Sequence, residues 1–181
     1  LVGWIPGGLA HANVVASIIF AGMSGSAVAD AGGLGAIEME AMTTNGYDKE
    51  FSGAVTAASS VIGPIFPPSI PLIIYGSVAS VQVERLFMGG VVPGLLMGVL
   101  LMVLILIFAI VRKYERHSFN LGRFIKQFLY SIPALGSPLI ILSGFTLGWF
   151  TPTEASSIAV IYSLLVAIFV YRSLGWKDFL K

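Results

Sequence analysis

Gly22-Met23-Ser24-Gly25-Ser26-Ala27-Val28-Ala29-Asp30-Ala31-Gly32-Gly33-Leu34-Gly35 is the stretch on which the fold turns. A short apolar run, Ala12 to Phe20, leads into it, and a second short helical stretch leads out to Glu38 and Glu40. A transmembrane helix needs about 20 apolar residues, and neither half has that length. The small-residue bend between them therefore lies at membrane depth, which describes a re-entrant helical hairpin over residues 12–40. Backbone outside a helix is tolerated there only when it is buried in protein or lines a water-filled cavity.

The next segment repeats the theme. After the turn Asn45-Gly46-Tyr47-Asp48, a helix starts at Phe51 and runs to Ser60, breaks over Val61 to Ser69, and resumes from Ile70 to Val81. Pro64, Pro67 and Pro68 cannot continue an α-helix, because each removes a donor and clashes with the preceding turn. Residues 51–80 thus read as a discontinuous transmembrane helix beside the hairpin.

Composition supports a membrane setting. Hydrophobic residues make up 56% of the 181 and charged residues only 10%, against about a quarter in soluble domains. The net charge of +1 gives no electrostatic case for nucleic acid, and the absence of cysteine excludes disulfides and thiolate metal sites. The chain opens on Leu1-Val2-Gly3-Trp4-Ile5-Pro6 and stops at Lys181. Both ends read as cuts through a longer protein, and no signal peptide is expected.

Leu86 to Val111 carries no charge and, at about 1.5 Å per residue, exceeds the ~30 Å hydrocarbon core, with Pro93 as a potential kink. Arg112, Lys113, Arg116, Arg123 and Lys126 follow against a single Glu115, which marks a cytoplasmic segment by the positive-inside rule. Counting back one crossing at a time puts Asp48 on the same side. From Phe119 to Leu129 apolar and basic residues alternate at helical spacing, as in a helix lying in the interface; a solvated loop is the alternative. Residues 127–153, interrupted by Pro133, Pro138 and glycines, and residues 155–171 read as two further spans, with Glu154 capping the second near its N-terminus. The expected organisation is a transport part over 1–80, a scaffold helix and interfacial arm over 81–132, and the start of a second repeat over 133–181.

Helices that stop inside a bilayer expose unpaired carbonyls at one end and unpaired N–H groups at the other. Such breaks persist where the carbonyls hold a cation or the N–H groups an anion. Ser24 and Ser26 in the bend, with Thr56, Ser59 and Ser60 at the end of the broken helix, add the neutral hydroxyl oxygens that a hard cation such as sodium prefers. Each hydroxyl has a plainer use, bonding the carbonyl one turn back. Asp30 is the only acidic residue close to the bend; an intramembrane carboxylate points to function, with helix capping as the alternative. The glycines from Gly22 to Gly35 also suit close helix packing.

Gly22 to Asp30, Thr56-Ala57-Ala58-Ser59-Ser60, and Gly63-Pro64 with Pro67-Pro68-Ser69-Ile70-Pro71 closely resemble the large membrane subunit (DctM/SiaM-like) of tripartite ATP-independent periplasmic (TRAP) transporters. Phe150-Thr151-Pro152-Thr153-Glu154-Ala155 with Tyr162 resembles the start of that family's second half. The resemblance implies an all-α polytopic membrane protein of the elevator type, built from two inverted repeats, of which this chain holds the first and the opening of the second. It implies a sodium site on Ser24, Gly25, Ser26, Thr56, Ser59 and Ser60, with Asp30, Gly63, Pro64, Pro67 and Pro68 in support. Sodium is then the coupling ion, with no organic cofactor. It also implies a small membrane subunit (DctQ-like), a periplasmic substrate-binding protein (DctP-like), a carboxylated organic solute, and a lipid setting in the cytoplasmic membrane of a bacterium or archaeon.

Other readings fit less well. Another sodium- or proton-coupled anion transporter of the same architecture is the nearest, and Asp30 is the residue a proton mechanism would use. Gly22-Met23-Ser24-Gly25 matches the G-x-S-G pattern of intramembrane serine proteases, but no later membrane segment supplies a histidine base. His11 precedes the bend and His117 lies in the basic stretch. A channel subunit would repeat one filter about an axis, whereas here the hairpin is paired with a broken helix. A transporter rather than an enzyme is expected.

Overall fold

The computed structural model describes residues 5–114, 121–147 and 149–172. Every regular element among them is helical. They belong to two compact units, within residues 1–120 and residues 121–181. Arg116, His117 and the start of the interfacial arm at Phe119 lie outside the described residues, as do both chain ends, Leu1–Trp4 and the stretch containing Lys177.

In the first unit, α1 spans Gly8–Ser24 and runs past both ends of the apolar run. Ala21 and Gly22 stay helical because they are buried against neighbouring helices, where small side chains allow close approach. Gly25 ends the helix in the left-handed region, φ 59°, and its N–H donates to the Ala21 carbonyl at 3.1 Å. Ser26 then takes an extended backbone, and its Oγ accepts the Ala29 N–H at 3.3 Å as an N-cap. The return arm is helical throughout: α2 (Ala27–Ala29), a π-helical turn (Asp30–Leu34) and α3 (Gly35–Thr44). The bend is thus Gly25 and Ser26 alone, not the whole glycine-rich stretch to Gly35. The π turn accommodates Gly32 and Gly33 within the helix instead of breaking it. Asn13 Nδ2 lies 3.9 Å from Met42 Sδ, so the two arms run back along each other as a helical hairpin.

After the turn at Asn45–Asp48, α4 (Lys49–Ser60) buries Phe51, Ser52, Val55, Thr56, Ser59 and Ser60 on one face. That face carries an apolar edge and a polar edge, and it packs on α1, α3 and α6. The break at residues 61–69 falls where the prolines require it. It is a run of tight turns: Ile62 N–H donates to Ser59 O at 3.0 Å, Gly63 N–H to Ser60 O at 3.1 Å, and Phe66 N–H to Ile62 O at 2.8 Å. Ser69, fully buried, donates to the Pro64 carbonyl and accepts from Leu72 N–H at 3.3 Å. It thereby closes the break and caps α5 (Ile70–Ala79).

The 29-residue α6 (Val83–Val111) continues through Pro93. It is the one helix among the described residues that is long and apolar enough to cross a membrane. Gly90, Gly94 and Gly98 form a stripe along its buried side. A Cβ built at Gly90 would fall 2.3 Å from the Ile65 carbonyl oxygen, and one at Gly94 would fall 3.0 Å from the Phe66 ring. At Gly98 the neighbour is the tip of Ile18, 2.7 Å away. The break and α1 therefore rest in a groove on α6, within one compact unit. The opposite side of α6 exposes Val92, Leu96, Val99, Val103, Ile107 and Ile110, the residues a lipid-facing surface requires.

At the end of α6, Arg112 pairs with Asp48, and Tyr114 Oη donates to Asp48 Oδ2 at 2.8 Å. Tyr114 stacks on Tyr47 with centroids 4.4 Å apart, and Arg112 lies over Phe51 at 5.6 Å. Asp48 and the start of the basic stretch are thus at the same end of α6.

In the second unit, α7 is a single helix over Leu121–Thr146. The interfacial segment and the span expected to follow it are therefore not separated by a break at Pro133. The helix carries both prolines without a break, and Tyr162 Oη of the following helix donates to the Pro133 carbonyl at 2.8 Å. Thr151 caps α8 (Pro152–Leu165) in a capping box with Glu154, whose Oε2 accepts the Thr151 N–H at 2.8 Å. Glu154 is thus the reciprocal partner and Thr151 the cap. A second π turn, Val166–Val170, extends α8. Neither α7 nor α8 reaches the length and hydropathy of α6.

Candidate functional site

The bend of the hairpin docks on the break between α4 and α5. Ile70 N–H donates to the Gly25 carbonyl at 3.3 Å. A Cβ on Gly25 would sit 2.5 Å from the Pro68 carbonyl oxygen and 3.1 Å from Ser69 Cα, so only glycine fits here by space as well as by φ. Gly63 is equally close, since a Cβ there would meet the backbone of Ser26 and the Ser60 carbonyl oxygen at 3.3 Å. Gly25, Ser26, Ser60, Gly63, Pro68 and Ser69 therefore meet backbone to backbone. The carbonyl ends of α1 and α4 and the N–H ends of the return arm and α5 converge at one place. Helix ends of both polarities thus meet there.

Below this contact lies a buried polar network. Asn13 Nδ2 donates to Thr56 Oγ1 at 2.8 Å, Ser59 Oγ donates to Asn13 Oδ1 at 2.8 Å, and Ser17 Oγ donates to Ser59 Oγ at 3.0 Å. All four residues are buried. Ser60 Oγ donates to the Thr56 carbonyl at 2.7 Å, the back-bond its residue type favours. The hydroxyls of Ser17, Ser59 and Ser60 each donate to a protein acceptor, which leaves lone pairs for an incoming cation.

The residues singled out in the sequence are thus not all in one contact. Ser26, Ser60 and Gly63 meet through their backbones, while Thr56 and Ser59 engage α1 below the bend. Ser24 Oγ is used locally, accepting from Ser26 N–H at 3.4 Å. Asp30 is not a cap, because Ser26 fills that role. Asp30 opens the π turn, is 1% exposed, and neither carboxylate oxygen has a hydrogen-bond partner. Gly35, aligned with it by a hydrogen bond to the Asp30 carbonyl, would place a Cβ 2.5 Å from Thr56 Cγ2, so this side of the return arm lies against α4.

Asn13, Ser17 and Ser69 escaped the sequence reading. The signal for the first two was present: an amide and a hydroxyl one turn apart in an otherwise apolar helix bond across helices. The oxygen set fits a hard monovalent cation, since it combines neutral hydroxyls and carbonyls with one unpartnered carboxylate beside them.

A sequence profile described as "Tripartite ATP-independent periplasmic transporter, DctM component" matches residues 1–181. Among curated proteins, the sialic acid TRAP transporter large permease protein SiaM of Vibrio cholerae is 42% identical, covering 100% of this chain and 43% of its own length. The C4-dicarboxylate TRAP transporter large permease protein DctM of Vibrio cholerae is 41% identical, over 97% of this chain and 39% of its own. The isethionate TRAP transporter permease protein DctMQ of Oleidesulfovibrio alaskensis is 39% identical, over 99% of this chain and 28% of its own. The chain spans less than half the length of each of these relatives.

Proposed function

Because this chain belongs to the family of the DctM component of tripartite ATP-independent periplasmic transporters, we propose that it forms the first half of the transport machinery in a sodium-coupled organic-anion importer. In this reading a periplasmic binding protein delivers the solute, a small membrane subunit completes the complex, and both subunits lie in the cytoplasmic membrane. The hairpin enters and leaves from one side and, with the α4–α5 pair, belongs to the body that carries the solute in an elevator motion.

One observation carries the coupling ion: two interrupted helices meet at Gly25–Ser26 and Ser60–Gly63, directly above the buried hydroxyl network. Sodium there would be held by carbonyls of the bend and break with Ser24, Ser26, Thr56, Ser59 and Ser60 as available hydroxyls. Its charge would offset the unpartnered Asp30. These residues bind and position the ion, and the ion links the bend to the break. The relatives named for sialic acid and C4-dicarboxylates favour a carboxylated solute, and the isethionate relative widens the class to sulfonates.

The test is uptake of a labelled organic acid by the full-length protein, reconstituted with its small subunit and binding protein. An inward sodium gradient is compared with a proton gradient alone, and wild type with Ser24→Ala/Ser60→Ala. Sodium-driven uptake whose apparent sodium affinity falls in the double variant supports the site. Equal uptake on protons alone favours a proton-coupled transporter of the same fold. That alternative rests on the buried, unpartnered Asp30.

A further inference from the structure

A cleft of about 660 Å³ lies between the α3–α4 turn at residues 45–48 and the end of α6 at residues 112–114, among residues that take no part in the bend or the break. Tyr47 and Tyr114 stack along it, and Asp48, Arg112 and Lys113 bring its charges. Asp48 is already matched, by Arg112 and by the Tyr114 hydroxyl at 2.8 Å. Lys113 is exposed and has no ion-pair partner among the described residues. Arg112 retains donors, since Asp48 and Tyr114 engage only its Nη1 and leave Nε and Nη2. The cleft therefore holds an unmatched positive charge beside unused N–H groups.

The backbone at Lys113 is an independent observation. α6 ends in a Schellman motif: Tyr114 N–H donates to the Ala109 carbonyl at 3.1 Å, and Lys113 N–H donates to the Ile110 carbonyl at 3.3 Å. The motif puts Lys113 in the left-handed region, φ 55°, where glycine is the usual residue. Strained positions of this kind cluster at ligand clamps. The plainer use of a lysine here is to offset the carbonyl end of the helix. Any basic residue of the last turn would serve that purpose without the strain.

The setting identifies the ligand. Ile107, Ile110 and Val111 are exposed within two turns of Lys113, so the apolar side of α6 leads to the cleft. Tyrosines beside a basic helix end mark the level of a bilayer interface, and basic pockets at that level hold lipid headgroups. An amphiphile matches both surfaces, with acyl chains along α6 and a phosphate in the cleft. We propose that this cleft binds the phosphate of an anionic phospholipid, with Lys113 and the remaining donors of Arg112 on the phosphate oxygens. The site requires α6 in a bilayer but is independent of the coupling ion.

The test is the thermal midpoint of the full-length purified complex in detergent, titrated with phosphatidylglycerol, with phosphatidylcholine of the same chains, or with soluble glycerol phosphate. Phosphatidylglycerol alone is expected to raise the midpoint. Lys113→Gln should need about fivefold more of it for half the effect, while Lys113→Arg should respond as wild type. Arg85→Gln, at the other end of α6, is the control for general attraction to anionic lipid and should also respond as wild type. Lys113→Gly relieves the backbone, so it should unfold at a higher temperature without lipid yet lose the same response. It carries the test if the glutamine variant fails to fold. An unchanged phosphatidylglycerol response in Lys113→Gln or Lys113→Gly would overturn the site and leave Lys113 as a helix-end charge. An equal response to phosphatidylcholine would overturn the charge recognition, and an equal response to glycerol phosphate would overturn the lipid as ligand.

Discussion

Gly25 is restricted twice over, by its left-handed φ and by the Pro68 carbonyl oxygen facing the missing Cβ. Gly25→Ala should therefore lower stability by more than the ~1–2 kcal/mol of the backbone conformation alone. A drop in the thermal midpoint of the purified protein measures this, and an unchanged midpoint would show that the bend relaxes away from the break. Asn13→Ala leaves Thr56 Oγ1 and Ser59 Oγ without their amide partner, at about 1–3 kcal/mol. On the proposed sodium coupling, it should also raise the sodium concentration the full-length transporter needs for half-maximal uptake. The residues of the bend and break were legible because glycine, proline and serine each have a local backbone signature. Asn13 was not, because its partners lie on another helix, and a one-dimensional pattern does not say which helix faces it.

Among the elements, α6 supplies an internal control. Gly89 has open space where its Cβ would lie, whereas Gly90 faces the Ile65 carbonyl. Gly89→Ala should stabilise the helix by roughly 0.5–1 kcal/mol from propensity. Gly90→Ala should destabilise it and disturb the break, because the opposing atom is backbone. Gly98→Ala should be milder, since the tip of Ile18 can rotate aside. The order Gly89, Gly98, Gly90 in unfolding temperature is the expected outcome; equal midpoints would mean that the groove does not hold the break. The sequence announced the length of α6 and the site of the α4–α5 break through charge and proline. It placed the hairpin bend too broadly, because glycine and alanine are weak helix formers in isolation yet remain helical when packed. It also divided α7 at its prolines, which the structure carries within one helix.

For the molecule as a whole, sidedness is the feature that contacts decide. The Asp48–Arg112 pair and the Tyr47–Tyr114 stack join the α3–α4 turn to the end of α6. Single cysteines at Asn45 and Lys113 should therefore react with an impermeant maleimide from the same side of the membrane. Labelling from opposite sides would contradict this arrangement. The pair itself is half exposed, with side chains 41% and 52% accessible, so its strength is modest. A double-mutant cycle with Asp48→Asn and Arg112→Gln should give less than about 1 kcal/mol, falling with added salt. The sequence contained both charges but no hint that they meet.

The groove on α6 also bears on how the chain is made. Synthesis delivers the hairpin first, the break second and α6 last, yet among the described residues α6 is the one helix with the length and hydropathy of a membrane span. The two earlier elements lack their glycine-lined seat until the ribosome has passed Gly98. Assembly over this stretch must then run backwards, with the last helix to emerge acting as the template on which the first two settle. A nascent chain stalled before α6 should remain accessible to protease at the bend, and one stalled after it should not.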